Sequence, residues 1–141
     1  MVDVSVKIFK GGYMPYRHFA CDAGIDLVSP RDVYVGAGDS EVIDTLVSLR
    51  IPEGYAGIVL PRSSMNVNLG CSCTGLIDAN YNGSINIRLF NHSDEIIPIY
   101  VGDRFAQIAI VKVPKVRLTM DYIGSDEDRG ENGFGSSGWQ V

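Results

Sequence analysis

Apolar and polar residues alternate strictly in two short stretches of this sequence, and this period of two is its most constraining feature. Residues 84–89 read Ser-Ile-Asn-Ile-Arg-Leu, and residues 47–51 read Val-Ser-Leu-Arg-Ile. Successive side chains of a β-strand point to opposite faces of the sheet, so both stretches predict strands with one buried face. Residues 108–113 are almost continuously apolar, which predicts a strand covered on both faces.

Turn-forming residues separate these stretches. The 141 residues include 16 glycines and 6 prolines, a density that favours many short elements joined by tight turns. Further strands are predicted at 4–9, 25–28, 33–35 and 57–60, and a short helix at 63–68. The chain is therefore predicted to be one all-β domain, a sandwich or barrel, since a domain averages about 150 residues.

Composition and charge disfavour several classes of function. Twelve Lys and Arg against 17 Asp and Glu give a net charge of −5, which argues against extensive electrostatic binding to nucleic-acid phosphates. No apolar run is long enough for a membrane span, and we expect no secretory signal. Three cysteines in such a chain favour reduced thiols in the cytoplasm, or in the host-cell interior if the source is viral.

The composition changes near residue 122. Residues 124–138 have almost no apolar content, so the sequence predicts a β core at 1–122 and a flexible arm at 123–141 that only a ligand orders. Gly133, Gly135 and Gly138 match a dinucleotide-binding fingerprint, but too few residues follow for the helix it requires. Closely spaced glycines still present backbone N–H groups that suit phosphate.

Several polar residues are candidates for chemistry, and each also has a structural explanation. Arg62 and Ser63 precede the predicted helix, a position that suits either anion binding or helix capping. Asp78 is a candidate general base or a turn residue, and Tyr81 is a platform for a ring or a packing residue. Asp26 interrupts an apolar strand and needs a partner if it is buried.

The order of these residues is more specific than any of them alone. Asp103 and Arg104 favour a turn with a local ion pair, and Gln107 needs hydrogen bonds if it is buried. The chain resembles the trimeric dUTPase family, the dUTP diphosphatases, over nearly its whole length. Five sequence blocks follow the family's order, at 23–27, 61–65, 75–83, 102–107 and 129–138.

The resemblance implies a fold, an assembly and a reaction. The fold would be a jelly-roll-like β-barrel or sandwich, and the assembly a homotrimer with active sites at the subunit interfaces, each closed by an arm. The substrate would be dUTP, hydrolysed to dUMP and pyrophosphate. This reaction lowers dUTP, which prevents uracil incorporation into DNA, and it supplies dUMP for dTMP synthesis. No direct nucleic-acid partner and no membrane partner are expected.

The resemblance also implies roles for individual residues. Asp78 would activate the water that attacks the α-phosphorus. Tyr81 would pack on deoxyribose and leave no room for a 2′-hydroxyl. Gly75 and Asn86 match positions that read uracil largely through backbone groups. The other implied substrate contacts are Arg62, Ser63, Ser64 and Gln107 on phosphate, Arg129 on the triphosphate, Phe134 stacked on uracil, and Gly135 and Ser136 over the phosphates.

Mg²⁺ is the implied cofactor. It would be held by the triphosphate oxygens and water, with Asp26 touching its water shell, so no protein cage of ligands is needed. The sequence departs from the family at Ser64, where many members have glycine, and 62–78 is shorter than usual. For that reason we assign no side chain just before Gly75 to uracil recognition.

Three other functions stay open at this point. A dCTP deaminase-type relative shares the fold, but Asp78, Tyr81 and Phe134 fit the diphosphatase better. A dUTPase-fold protein can also serve as a nucleotide-sensing or regulator-binding module. A structural or lectin-like jelly roll would not need five ordered blocks.

Overall fold

The computed structural model describes residues 1–120 and 130–140. Within them the chain forms eleven β-strands and a five-residue π-helical turn at Ser64–Asn68. The strands are β1 (Ser5–Ile8), β2 (Ile25–Val28), β3 (Val33–Val35), β4 (Ser40–Asp44), β5 (Val47–Arg50), β6 (Tyr55–Pro61), β7 (Cys71–Ser72), β8 (Gly75–Ile77), β9 (Asn86–Asn91), β10 (Ile97–Ile99) and β11 (Arg104–Lys112). The prediction of an all-β, jelly-roll-like domain is confirmed.

All the strand pairs are antiparallel, and they form four small sheets. The largest has the order β2-β11-β6-β8, a second has the order β4-β9-β7, and two strand pairs are β1-β5 and β3-β10. β11 is the longest strand and lies between β2 and β6, so its register fixes where both neighbours end. This sheet positions most of the residues discussed below.

The core consists of alternating side chains from these sheets. In β9 the buried Ile87 and Leu89 alternate with the exposed Asn86, Arg88 and Phe90, as the sequence pattern predicts. Across the core, Phe105 of β11 is also fully buried. Burial of a side chain of this size contributes about 1.5–3 kcal/mol, so such residues dominate the stability of the sandwich.

Some strand predictions needed correction. The strands predicted at 25–28 and 33–35 are confirmed without change, whereas β9 begins two residues later than predicted and β11 begins four residues earlier. The expected cover on both faces of the β11 strand is incomplete, because Ile110 and Val111 are only half-buried in the single chain. Four short strands were not predicted, at Ser40–Asp44, Cys71–Ser72, Gly75–Ile77 and Ile97–Ile99.

The three cysteines are free thiols in different environments. Cys21 is exposed, whereas Cys71 and Cys73 are both buried in the core, as expected for two residues on one face of a strand. Burial raises the pKa of Cys71, and burial together with the neighbouring Cys71 raises the pKa of Cys73 to about 11. The two core thiols therefore stay protonated and unreactive at neutral pH.

None of the helical segments in the described part of the chain has the length and apolarity needed to cross a membrane. The predicted boundary between core and arm falls among residues 121–129, outside the described residues, and stays a prediction.

Candidate active site

A cavity of about 580 Å³ opens beside the β2-β11-β6 sheet. We call it the Arg62 cavity. Its polar lining includes Asp26, Arg62, Ser63, Arg104 and Gln107. These residues come from three sequence blocks that lie far apart along the chain, and the fold brings them together.

The strand register explains this convergence. Asp26 of β2 lies opposite Gln107 of β11, and Pro61, the last residue of β6, lies opposite Ala106. Arg62 follows Pro61 directly, so it leaves the sheet beside the same part of β11. The first, second and fourth blocks therefore meet where β6 ends beside β11 and β2, within a single sheet.

An ionic cluster occupies the centre of the Arg62 cavity. The Asp26 carboxylate accepts from Arg62 Nε at 3.2 Å and from Arg104 Nη1 at 3.1 Å. Arg62 Nη1 also donates to the Arg104 carbonyl at 3.0 Å. Because the Asp26 side chain is only 14% exposed, these bonds hold the Arg62 guanidinium at the cavity wall before any ligand arrives.

The predicted ion pair between Asp103 and Arg104 is wrong. The Asp103 carboxylate instead accepts from the Tyr100 backbone N–H at 2.8 Å, which closes the turn, and Arg104 pairs with Asp26 across the strand pair. Asp103 lies in the turn before β11 whereas Arg104 begins the strand, so the partner of Arg104 follows from the register of β11 on β2.

Gln107 is held in place by a close backbone contact. Its amide nitrogen donates to the Pro61 carbonyl at 2.9 Å, and a Cβ atom at Gly24 would overlap its amide oxygen. A larger residue at position 24 would therefore have to displace the Gln107 amide. Sequence reasoning assigned Gly24 no role, and only its place between Ala23 and Ile25 hinted at one.

The serines of the second block begin the π-helical turn. Ser63 lies at the N-cap position, lines the Arg62 cavity, and makes no side-chain capping hydrogen bond. Ser64 is exposed, and its φ is not positive, so the serine imposes no backbone strain where many relatives have glycine. Helix capping, the structural explanation offered for Ser63, therefore does not account for its hydroxyl.

A second cluster follows β8, around Asp78 and Tyr81. The Tyr81 hydroxyl donates to the Ser84 carbonyl at 3.1 Å, and a Cβ atom at Gly83 would overlap the Tyr81 ring. The Asn86 amide donates to the same carbonyl at 3.3 Å. These contacts fix the side-chain positions in the loop that leads from β8 to β9.

Asp78 is exposed and lines a separate cavity of about 380 Å³ with Glu53 and Lys115. Since Ile77 lies opposite Gly57, Asp78 lies beside Ala56, near the start of β6, whereas Arg62 follows the end of that strand. Six residues of strand span about 20 Å. The structure therefore does not bring Asp78 and Arg62 together within one chain.

The arm residues are described only in part. Arg129 lies outside the described residues. Phe134 is fully exposed with a positive φ, and the backbone N–H of Ser136 donates to the Gly133 carbonyl, which makes a tight turn around Gly135. The predicted arm contacts therefore stay predictions.

The structure also places residues in the Arg62 cavity to which sequence reasoning assigned no role. Tyr16, His18 and Phe19 from the segment before β2 form one wall, and Arg104 forms part of another. The aromatic residues around Arg17 were the only sequence signal for this wall.

Known proteins similar to this chain identify its family. A family model described as dUTPase matches residues 11–138. A deoxyuridine 5′-triphosphate nucleotidohydrolase of Fowlpox virus (strain NVSL) is 37% identical over 144 residues, covering 98% of this chain and 99% of the relative. The protein of the same name from Mycobacterium sp. (strain JLS) is 40% identical over 135 residues, covering 89% and 87%.

Solved structures show the same fold. The dUTPase of Staphylococcus bacteriophage 80alpha, determined with dUPNHPP, has a TM-score of 0.85 at 31% identity and covers 97% of this chain and 99% of that one. A mutant dUTPase from phage phi11 of S. aureus, described with a structural Mg(II) ion, has a TM-score of 0.75 at 27% identity, covering 85% and 98%. This chain belongs to the dUTPase family.

Proposed function

We propose that this protein hydrolyses dUTP to dUMP and pyrophosphate, with the triphosphate in the Arg62 cavity and Asp78 of another copy activating the attacking water. Family membership supports the reaction. The observation that carries the geometry is the meeting of Asp26, Arg62, Ser63 and Gln107 in one open cavity. The reaction would take place in the cytoplasm, or in the host-cell interior for a viral source, where it lowers dUTP and supplies dUMP for dTMP synthesis.

Arg62 is the proposed main phosphate ligand. Its side chain is 28% exposed and its guanidinium is already oriented by Asp26 and the Arg104 carbonyl, so little further ordering is needed when an anion binds. The Ser63 hydroxyl, the Ser64 backbone N–H and the Gln107 amide would add neutral donors. Charge-assisted hydrogen bonds of this kind are the strong ones in phosphate recognition.

The residues of the Arg62 cavity fit Mg²⁺ held by substrate and water. Among the described residues, no group of three or more His, Cys, Asp or Glu side chains is placed to hold a metal ion. Mg²⁺ keeps several waters and binds phosphates with one or two carboxylates. Asp26 would accept hydrogen bonds from that water shell, and the ion would neutralise charge on the triphosphate.

The loop after β8 is the proposed site for the nucleoside. Gly75 and Asn86 lie at the two ends of the segment that contains Tyr81, and their backbone groups would pair with the uracil edge. The Tyr81 ring, fixed over Gly83, would lie against deoxyribose. Asp78, three residues before Tyr81, would remove the proton from the attacking water.

Sugar selection gives a first testable prediction. We expect Tyr81→Ala to raise kcat/KM for UTP relative to dUTP by about tenfold or more, because the ring no longer occupies the space of a 2′-hydroxyl. Tyr81→Phe is the matched control, since it loses only the hydrogen bond to Ser84 and should keep the wild-type ratio. Steady-state kinetics with both nucleotides measure this, and an unchanged ratio in Tyr81→Ala would place the discrimination elsewhere.

Two observations support assembly into an oligomer, for which the family resemblance indicates a homotrimer. Within one chain Asp78 and Arg62 are about 20 Å apart along β6, so a site that uses both needs a second copy. Val116, Leu118 and Met120 alternate with polar residues in a segment without strand pairing and are 72%, 91% and 99% exposed. Such a segment suits pairing with a neighbouring subunit.

The arm would close the composite site. Phe134 would stack on uracil, Gly135 and Ser136 would cover the phosphates, and Arg129 would reach the triphosphate. A fully exposed Phe134 suits an element whose ordering requires ligand contacts.

Trp139 allows a direct test of arm closure, because it is the single tryptophan of the chain and lies five residues from Phe134. We expect a non-hydrolysable dUTP analogue with Mg²⁺ to change Trp139 fluorescence and to protect the arm from protease. Truncation after Tyr122 should leave the β core folded but lower kcat/KM about 10²-fold or more, as loss of a closing element does. Truncation after Trp139 is the control. If the analogue binds while fluorescence and protease sensitivity stay unchanged, the arm does not close.

Product analysis separates the proposed function from the alternatives. The protein is incubated with dUTP, dCTP or UTP and Mg²⁺, and the products are identified by chromatography. We expect dUMP and pyrophosphate from dUTP alone. Ammonia release from dCTP would instead indicate a deaminase, and binding of dUTP without any product would indicate a sensing module.

A further inference from the structure

His18 forms part of the wall of the Arg62 cavity, in the segment between β1 and β2 to which neither the sequence blocks nor the proposed mechanism assigns a role. Its Nδ1 lies 3.0 Å from the Tyr16 hydroxyl. The Phe19 ring meets the imidazole edge-on, with ring centroids 4.2 Å apart and an interplanar angle of 82°. These two contacts orient the exposed imidazole at the cavity wall, where a ligand could reach it.

Tyr16 ties His18 to the ionic cluster. Tyr16 and Asp26 exchange two backbone hydrogen bonds, with N···O distances of 3.0 and 2.7 Å. The Arg104 guanidinium lies 5.0 Å from the centre of the Tyr16 ring. Arg104 in turn donates to the Asp26 carboxylate. His18 therefore keeps a defined position relative to Asp26 and Arg62.

The hydrogen bond with Tyr16 uses one ring nitrogen of His18 and leaves the other available. A neutral imidazole that accepts the Tyr16 hydroxyl proton at Nδ1 carries its own proton on Nε2. A protonated imidazole has a proton on both nitrogens, and Nδ1 then donates to the Tyr16 oxygen. Nε2–H is a donor in these two states and would be an acceptor only in the neutral tautomer with its proton on Nδ1, and within residues 1–120 and 130–140 no hydrogen bond engages Nε2.

The charge balance of the cavity shows why a further donor matters. Arg62 and Arg104 are matched by two carboxylates that also line the cavity, Asp26 and Asp22. Asp22 accepts from the Phe19 backbone N–H at 2.9 Å, so it belongs to the same wall as His18. With two cations against two anions, the formal charges of these four groups cancel, and a bound triphosphate needs additional hydrogen-bond donors.

We propose that His18 is a further substrate-binding residue, whose Nε2–H donates to the pyrophosphate portion of dUTP. This inference rests on the proposed function. The α-phosphorus must face Asp78 of another copy, which leaves the cavity formed by this chain alone, with His18 in its wall, for the leaving β- and γ-phosphates. Tyr16 is the positioning residue for His18.

The test measures how ligand affinity depends on the number of phosphates. Calorimetry with Mg²⁺ compares dUMP, dUDP and a non-hydrolysable dUTP analogue on the full-length wild-type protein, on His18→Leu and on His18→Gln. We expect His18→Leu to lower the affinity for the dUTP analogue about tenfold, the usual loss when a donor to a charged oxygen is removed. The affinity for dUMP should stay unchanged. His18→Gln keeps an N–H donor and should lose less.

Two controls separate binding from a structural role. His92→Leu removes the other histidine, which bonds Ser72 at 2.6 Å on the other sheet, and should bind all three nucleotides as the wild type does. Tyr16→Phe alone should lower the affinity for the dUTP analogue severalfold. Added to His18→Leu it should cause no further loss of affinity, since Tyr16 acts through His18.

The outcomes are distinct. An equal loss for dUMP and the dUTP analogue in His18→Leu, or no loss for either, would overturn the assignment of His18. If the wild-type protein neither binds the analogue nor hydrolyses dUTP, the proposed function fails first and the inference with it.

Discussion

The Asp78→Asn variant is expected to bind dUTP about as well as the wild type and to hydrolyse it at least about 10²-fold more slowly, the usual loss for a general base. An amide has nearly the shape of the carboxylate but cannot accept the proton of the attacking water. Asp78 is exposed at the end of β8 and makes no ion pair among the described residues, so the substitution should not disturb folding.

The measurement separates kcat from binding. Single-turnover kinetics gives the chemical step, and calorimetry with the non-hydrolysable analogue gives affinity. Asp94→Asn is a suitable control, because Asp94 is another exposed aspartate, in the loop between β9 and β10. Turnover near the wild-type rate in Asp78→Asn would remove Asp78 from the mechanism, whereas equal losses in kcat and affinity would make it a binding residue.

The sequence predicted the parts of the fold that depend on periodicity. The alternation around Ile87 and Leu89 identified β9 and its buried face, because a half-buried strand must repeat every two residues. β7 was missed because two residues carry no period. β10 was missed because it contains Pro98, which is typical of an edge strand and weakens the strand signal.

Only those site residues that lie in the recognised sequence blocks could be predicted. Arg62, Ser63 and Gln107 were expected to contact phosphate and Asp26 the water shell of its Mg²⁺, and the structure places these four residues in one cavity. Their mutual contacts were not predictable, because the Asp26–Arg104 pair depends on the register between β2 and β11. The wall around His18 follows from the path of the chain before β2, which no local pattern encodes.

The distance between Asp78 and Arg62 is the most consequential result of the structure. Both residues flank β6, one beside its start and one after its end, so a single chain holds them about 20 Å apart. If Asp78 removes the proton and Arg62 binds phosphate, as we propose, the reaction uses two copies of the chain. The proposed active site is therefore composite, with groups from two neighbouring copies.

Mixed oligomers test this claim most directly. Asp78→Asn and Arg62→Gln subunits are each purified, and each alone is expected to be nearly inactive. After unfolding and refolding of an equal mixture, a site that takes Arg62 from an Asp78→Asn subunit and Asp78 from an Arg62→Gln neighbour has both groups intact. Random assembly into a closed ring gives this arrangement at about a quarter of the interfaces.

The measurement is dUTP hydrolysis by the refolded mixture, with each variant refolded alone as the baseline and native mass spectrometry to confirm mixed assembly. The composite site predicts recovery of about a quarter of the wild-type activity, since one interface in four joins the required neighbours. Confirmed mixed oligomers that stay as inactive as the separate variants would contradict the account, because Arg62 and Asp78 would then have to act within one chain.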